Sequence, residues 1–292
     1  MTFTDDKLQS QRFELKYIIE EPVALSVRDF LRSYLELDEN GVGREENSYP
    51  IHSLYLDSPD LMLYQQTNIG EKNRFKLRLR YYDNSPRSPV FLEIKRRMNN
   101  TIAKQRGCIC REAVPDLFAG HVPEQAQLVS SGPKHIVAVN DFCRLMQELQ
   151  ARPRTHVAYL REAWVSREDN SVRVTIDRQV RSEINLSGYL TTDMVSPVLV
   201  FGHHAVLELK FTGRFPDWFK ELVEIFHLTQ GSAAKYAEGV TLLGVEAVSR
   251  AFTVEVNGNG TVREPLPQVD RRAAATGNGS PLAPGLEAFF AK

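Results

Sequence analysis

The stretch Arg74-Phe75-Lys76-Leu77-Arg78-Leu79-Arg80-Tyr81 has a basic residue at every even position and an apolar or aromatic one at every odd position. A period of two sends successive side chains to opposite faces of a strand. With a rise of about 3.3 Å per residue, one face carries four cations about 6–7 Å apart. The other face is oily and calls for a core. A helix would scatter the same cations around its axis. Alone, this strand suits the solvated face of an antiparallel sheet equally well, but the pattern recurs. Arg12, Glu14 and Lys16 alternate with Phe13, Leu15 and Tyr17. Glu93, Lys95 and Arg97 alternate with Leu92 and Ile94, and Lys104 and Arg106 share one face of the segment that follows. Glu208 and Lys210 share a face within 205–211.

Further strands are expected at 51–57, 156–165 and 172–178, with a long irregular connection of some strand character over 179–200. Helical periodicity follows Pro22, fills much of 112–152, and returns after Pro216 and after Gly231. Ser58 and Pro59 have the chemistry of a helix cap and first turn. The expected fold class is α+β: a closed antiparallel β-barrel with a polar, basic interior and helices packed outside. Such a barrel uses both faces of each strand and leaves few open edges. The expected organisation is an N-terminal arm over 1–10, one domain over 11–250, and a flexible tail over 257–292, where Gly, Asn, Pro and Ala dominate.

The net charge of -1 over 292 residues hides a local concentration. Residues 71–106 hold eleven Lys and Arg against three Asp and Glu, leaving 25 basic against 34 acidic elsewhere. A basic element in an acidic chain points to a focused anion site rather than general adhesion to polyanions. Nucleic acid would call for surface basic patches interleaved with stacking aromatics. Here the aromatics fall mainly on the opposite face, so no nucleic-acid partner is expected. Three cysteines and no signal peptide point to a reducing, cytoplasmic setting. Cys108 and Cys110 lack a second ligand pair, which disfavours zinc. No apolar run approaches the about 18 residues of a membrane span.

Burying about a dozen cations in an empty interior costs far too much. The interior must be wet and must receive a polyanion. Arg and Lys converging from several strands match phosphoryl groups. A few carboxylates among them suit Mg²⁺ or Mn²⁺ bridging phosphates.

The segments Arg12 to Tyr17, Ser53 to Asp57, Arg74 to Tyr81, Glu93-Ile94-Lys95, Tyr159 to Ala163, Arg173 to Asp177, Leu207 to Lys210 and Ser232 to Tyr236 together resemble the VTC domain. This is the polyphosphate polymerase domain of the triphosphate tunnel metalloenzyme superfamily. The resemblance implies a tunnel of antiparallel strands. It also implies transfer of the γ-phosphate of ATP to a growing polyphosphate chain with Mn²⁺ or Mg²⁺. By position, Lys16, Arg78, Arg80, Lys95, Arg161 and Lys235 would be catalytic phosphate-gripping groups. Lys76, Lys104, Arg173, Lys210 and Tyr159 would be further phosphate contacts, and Glu208, with Glu14, would hold metal. For Glu14 and Glu93, pairing with neighbouring cations stands beside metal binding. For Tyr55 and Tyr159, plain packing stands beside hydroxyl donation. His52 and His156 are expected to be structural.

One position departs from the superfamily's Glu-x-Glu-x-Lys signature: Arg12 stands where the first carboxylate is expected, leaving Glu14 and Lys16. Loss of that carboxylate disfavours a two-metal triphosphatase and favours a site that holds a chain. No fused SPX domain is expected beside this one. The alternatives are hydrolysis of tripolyphosphate or a nucleoside triphosphate, and a non-catalytic polyphosphate-binding module. The expected partners are ATP and inorganic polyphosphate. A membrane-protein partner for export and the oligomeric state stay open.

Overall fold

The computed structural model describes residues 12–99, 101–167 and 171–250, and the backbone alone at 255–256 and 262–263. Residues 1–251 form one compact unit and 252–292 a second. The expected arm over 1–10, and the expected tail over 257–292 apart from Val262–Arg263, lie outside the described residues.

The first unit is α+β. Its strands are β1 (Arg12–Ile19), β2 (Glu36–Leu37), β3 (Ser48–Asp57), β4 (Asn73–Tyr81), β5 (Val90–Met98), β6 (Thr101–Ile109), β7 (Arg152–Val165), β8 (Val172–Ile184), β9 (Val198–Leu199) and β10 (Ala205–Thr212). The helices are α1 (Glu21–Leu31), α2 (Met62–Asn68), α3 (Val114–Phe118), α4 (Pro133–Glu148), α5 (Asp217–Ile225), α6 (Lys235–Leu243) and α7 (Val245–Ser249). In the second unit β11 (Glu255–Val256) pairs with β12 (Val262–Arg263).

The strands of the first unit make one antiparallel sheet in the order β2-β7-β3-β4-β5-β6-β1-β10-β8-β9, and β7 also pairs with β8. The closed barrel expected from the alternation is corrected here. The ring of strands is interrupted at the β6–β1 seam, where the described ladder is a single pair, Arg12↔Ile102. Side chains span the seam instead, with Lys95 Nζ on β5 2.9 Å from the Glu14 carboxylate on β1.

The alternation of β4 is realised. Leu77, Leu79 and Tyr81 are fully buried among Leu92, Ile94, Val139 and Phe142, beneath α4. At about 25 cal/mol per Å² of apolar surface, each such side chain contributes roughly 1.5–3 kcal/mol. Helix α4 lies so close to β6 that a Cβ added at Gly107 would sit 2.4 Å from a Val139 methyl. On another part of the sheet, α1 and α5 pack Val27, Leu31, Phe219 and Leu222 against Leu207 and Leu209 of β10.

Helix α2 begins later than Ser58 and Pro59 suggest. Asp57 supplies the cap, its carboxylate accepting from the amides of Leu63 and Tyr64 at 2.9 Å. Ser58 Oγ accepts from the Met62 amide, and Leu61 turns the chain with φ 59°. The 179–200 connection begins as strand, because β8 runs on to Ile184 to keep pairing with β7 as far as Thr155.

Candidate functional site

Every residue put forward for the site lines a single cavity: Glu14, Lys16, Lys76, Arg78, Arg80, Lys95, Lys104, Tyr159, Arg161, Arg173, Glu208, Lys210 and Lys235. Its volume is about 1660 Å³, beyond the about 300–1,000 Å³ of a small-molecule pocket, so an extended polyanion fits with its water. Sixteen lysines and arginines line it against two glutamates. That imbalance is held by acids set among and beneath the cations.

The first anchor is Glu93, fully buried on β5. Arg78 holds one of its oxygens through Nη2 at 2.6 Å and Nε at 2.7 Å. Arg106 holds the other at 2.5 and 2.7 Å. Arg80 and Lys104 stand farther off, at 3.9 and 4.0 Å. Register explains the convergence, since Arg78, Glu93 and Arg106 are direct neighbours across β4, β5 and β6. Burial alone would raise the Glu93 carboxyl. Arg80, Arg78 and Arg106 outweigh it and hold the group ionised, well below the usual carboxylate range.

The second anchor is Asp177 on β8, also fully buried. It takes both Nε and Nη2 of Arg161 at 2.7 Å and Lys235 Nζ at 2.8 Å. Lys235 is delivered by the first turn of α6. Its ammonium, like the Arg161 guanidinium, lies 5.1 Å from the Tyr159 ring centre, and the Tyr159 hydroxyl accepts from Arg80. Burial disfavours the charged form of Lys235, yet Asp177 and Glu208 more than reverse this and keep it protonated.

Glu208 sits between these groups and reaches the cavity. Lys210 lies 2.5 Å away, Lys235 2.9 Å, Lys16 3.4 Å and Arg161 3.6 Å. Burial pushes the Lys210 ammonium down to about 7, only partly opposed by Glu208. Glu14 pairs with Lys95 and, at 3.2 Å, with Lys16. Arg173 pairs with Asp38 at 2.9 Å.

Sequence reasoning missed Asp177 and Arg106 as site members and left the part played by Glu93 open. The signal for Asp177 was present. It shares β8 with Arg173 at a spacing of four, an even number, but a lone aspartate in an apolar run gives no sign of its partners. His52 and His156 lie away from the cavity, as expected of structural residues. They are hydrogen-bonded to one another at 3.0 Å, with His52 stacked on Tyr81 and His156 tilted against it.

Among the described residues no group of three His, Cys, Asp or Glu could cage a metal. The donor set fits a divalent ion in a narrower sense. Mg²⁺ commonly binds through one or two carboxylates plus substrate phosphates. Glu208, with Glu14 across the β1–β10 ladder, supplies such a pair once phosphates share their lysines.

The VTC domain family matches residues 11–244, and the chain belongs to this family. Membership gives it a triphosphate-handling role and the use of a divalent metal. Among solved structures, one assigned provisionally as an adenylate cyclase from Bacillus halodurans is 14% identical, with a TM-score of 0.44, covering 77% of this chain and 95% of that one. The PH1819 protein of Pyrococcus horikoshii OT3 is 13% identical, with a TM-score of 0.40, covering 80% and 98%. No curated protein sequence matches the chain.

Proposed function

We propose that the cavity transfers the γ-phosphate of ATP to a growing inorganic polyphosphate chain, with Mn²⁺ or Mg²⁺, in the cytoplasm. The observation that carries this reading is the excess of cations over carboxylates on the cavity wall, with the main acids buried as anchors. Phosphoryl transfer asks for positioning and charge stabilisation more than for covalent chemistry. A preset array of donors supplies both at little reorganisation cost.

Arg78 and Arg80 on β4 and Arg161 on β7 present planar forks to phosphate oxygens. Lys16, Lys210 and Lys235 surround Glu208 as mobile point charges. An incoming triphosphate competes with Glu208 for these ammonium groups, which would leave carboxylate oxygens available as metal ligands. Glu208 and Glu14 would hold the metal, which would supply charge neutralisation for the phosphates. Tyr159 offers its ring to Lys235 and Arg161 and its hydroxyl to Arg80.

The test is incubation of the protein with ATP and Mn²⁺, with polymer resolved on a gel and free phosphate assayed in parallel. Long polymer with ADP is the expected result. Free phosphate without polymer would replace the reading with hydrolysis. Polyphosphate bound without ATP consumption would leave a binding module.

A further inference from the structure

The cavity cations divide into two sets. Lys16, Arg78, Arg80, Lys95, Arg161, Lys210 and Lys235 each lie within 4.0 Å of a carboxylate. Farther along β4 this compensation stops. Arg74 faces Arg97 directly across the β4–β5 ladder, and Lys76 faces Lys95 in the next row of the same face. Among the described residues, no carboxylate lies within ion-pair distance of Arg74, Lys76 or Arg97. Arg74 and Arg97 bond there to main-chain carbonyls, those of Glu71 and Asn99. Like charges directly opposite one another in a sheet are destabilising. Burial, then the Arg97 charge, pulls the Arg74 guanidinium down. Burial, then Lys16 and Lys95, hold Lys76 well below the ordinary lysine range. Repulsion retained on a cavity wall is relieved by an anion placed between the charges.

We propose that Arg74 and Arg97, with Lys76 behind them, form a distal subsite that holds the polyphosphate chain outside the reaction centre. The inference rests on the polyphosphate reading above and adds where the chain runs. With cross-strand neighbours about 5 Å apart and same-face residues about 6–7 Å apart along the strand, the row continues the spacing of Arg78 and Arg80. A chain gripped at Arg78 and Arg80 is thus led along β4 toward the β5–β6 hairpin. Tripolyphosphate, filling the centre around Glu208, is too short to reach Arg74.

The experiment measures binding of tripolyphosphate and of polyphosphate of about 25 units to wild type and to the Arg74→Gln/Arg97→Gln double variant. Wild type is expected to bind the long chain more tightly, and the double variant to lose about tenfold or more of that affinity with a shallower salt dependence. Its affinity for tripolyphosphate should stay within about twofold, because its contacts lie elsewhere. The charge-retaining Arg74→Lys/Arg97→Lys variant should keep most of the long-chain affinity. Thermal unfolding checks the fold, and a melting temperature at or above that of wild type is expected because a repulsion has been removed. Unchanged long-chain affinity in the glutamine variant, or an equal fall for both ligands, overturns the subsite. Equal wild-type affinity for both ligands overturns it while leaving the function reading intact. Binding of neither ligand to wild type overturns both.

Discussion

Glu93 and Glu208 are both buried, both on strands, and both within 4.0 Å of four cations, yet they are built for different work. Glu93 is sealed beneath the wall, and its two shortest partners are arginines whose forks are fixed by neighbouring strands. Glu208 lines the cavity, and its closest partners are lysines. A guanidinium fork makes two directed bonds and holds its geometry. An ammonium on a flexible stem re-aims toward a new anion. The difference teaches that in a site this rich in charge, donor type and access decide which carboxylate anchors and which one exchanges.

The largest effect that tests the contrast is expected from Glu93→Gln. It removes the fully buried charge that Arg78 and Arg106 share, and breaking a buried ion pair costs about 3–5 kcal/mol. Chemical denaturation should show this loss of stability, and a variant as stable as wild type would remove Glu93 as an anchor. Glu208→Gln ranks next. Its carboxylate reaches the cavity, where Glu93 does not, so stability should fall by less. Turnover of ATP should fall by about 10²–10³, the scale for loss of one preorganised electrostatic group. Polyphosphate binding should persist. Normal turnover in this variant would end the metal assignment.

Much of this contrast is legible in the sequence, and the reasons for the rest are physical. Strand parity places Lys76, Arg78 and Arg80 on one face because a period of two admits no other arrangement once Leu77 and Leu79 are buried. It cannot show that Arg106 and Arg78 share Glu93, because register between strands is not written in either strand. The closed barrel follows from the number of strands and their charged faces. Neither carries information about how far neighbouring strands pair, and the described β6–β1 ladder is the single pair Arg12↔Ile102. Asp57 shows the same limit locally. Ser58-Pro59 has cap chemistry, but the aspartate one residue earlier takes the helix amides.

Mild acid separates the cavity from the rest of the sheet. Glu93 and Glu208 are held well below the usual carboxylate range by their cations, which outweigh burial. Both therefore stay ionised through mild acid. The His52–His156 pair behaves otherwise. Burial pushes His52 down to about 4, and burial with the His52 charge pushes His156 to about 3. Below the ordinary histidine value of about 6.5 the unfolded chain takes up protons that the folded chain refuses. Stability from the neutral pair is thus complete above that value and is lost as pH falls from about 6.5 toward about 4. The loss is on the order of 3 kcal/mol for each histidine, at about 1.4 kcal/mol for each pH unit separating the folded and unfolded values. Melting temperature against pH reads it, and His52→Gln/His156→Gln should flatten the slope. A slope unchanged in that variant would place the acid sensitivity elsewhere.

The smallest effect sharpens the comparison most. The Tyr55 hydroxyl accepts from Arg78 Nη1 at 3.0 Å, while its ring stacks on Tyr236 at 4.9 Å. Tyr55→Phe keeps the stacking and removes one hydrogen bond to a charged group, a loss of about 1.5–3 kcal/mol at most. If Glu93 alone fixes the Arg78 fork, the loss should fall to the lower end or below, with ATP affinity changed by a few-fold. In a Glu93→Gln background Arg78 has lost its main partner, and Tyr55 becomes the group that still holds it. The same substitution should then cost more, giving a coupling energy of about 0.5–3 kcal/mol in a double-mutant cycle. Additive costs would mean that Tyr55 and Glu93 act on Arg78 independently, and the anchor would then be the tyrosine and the carboxylate together rather than Glu93.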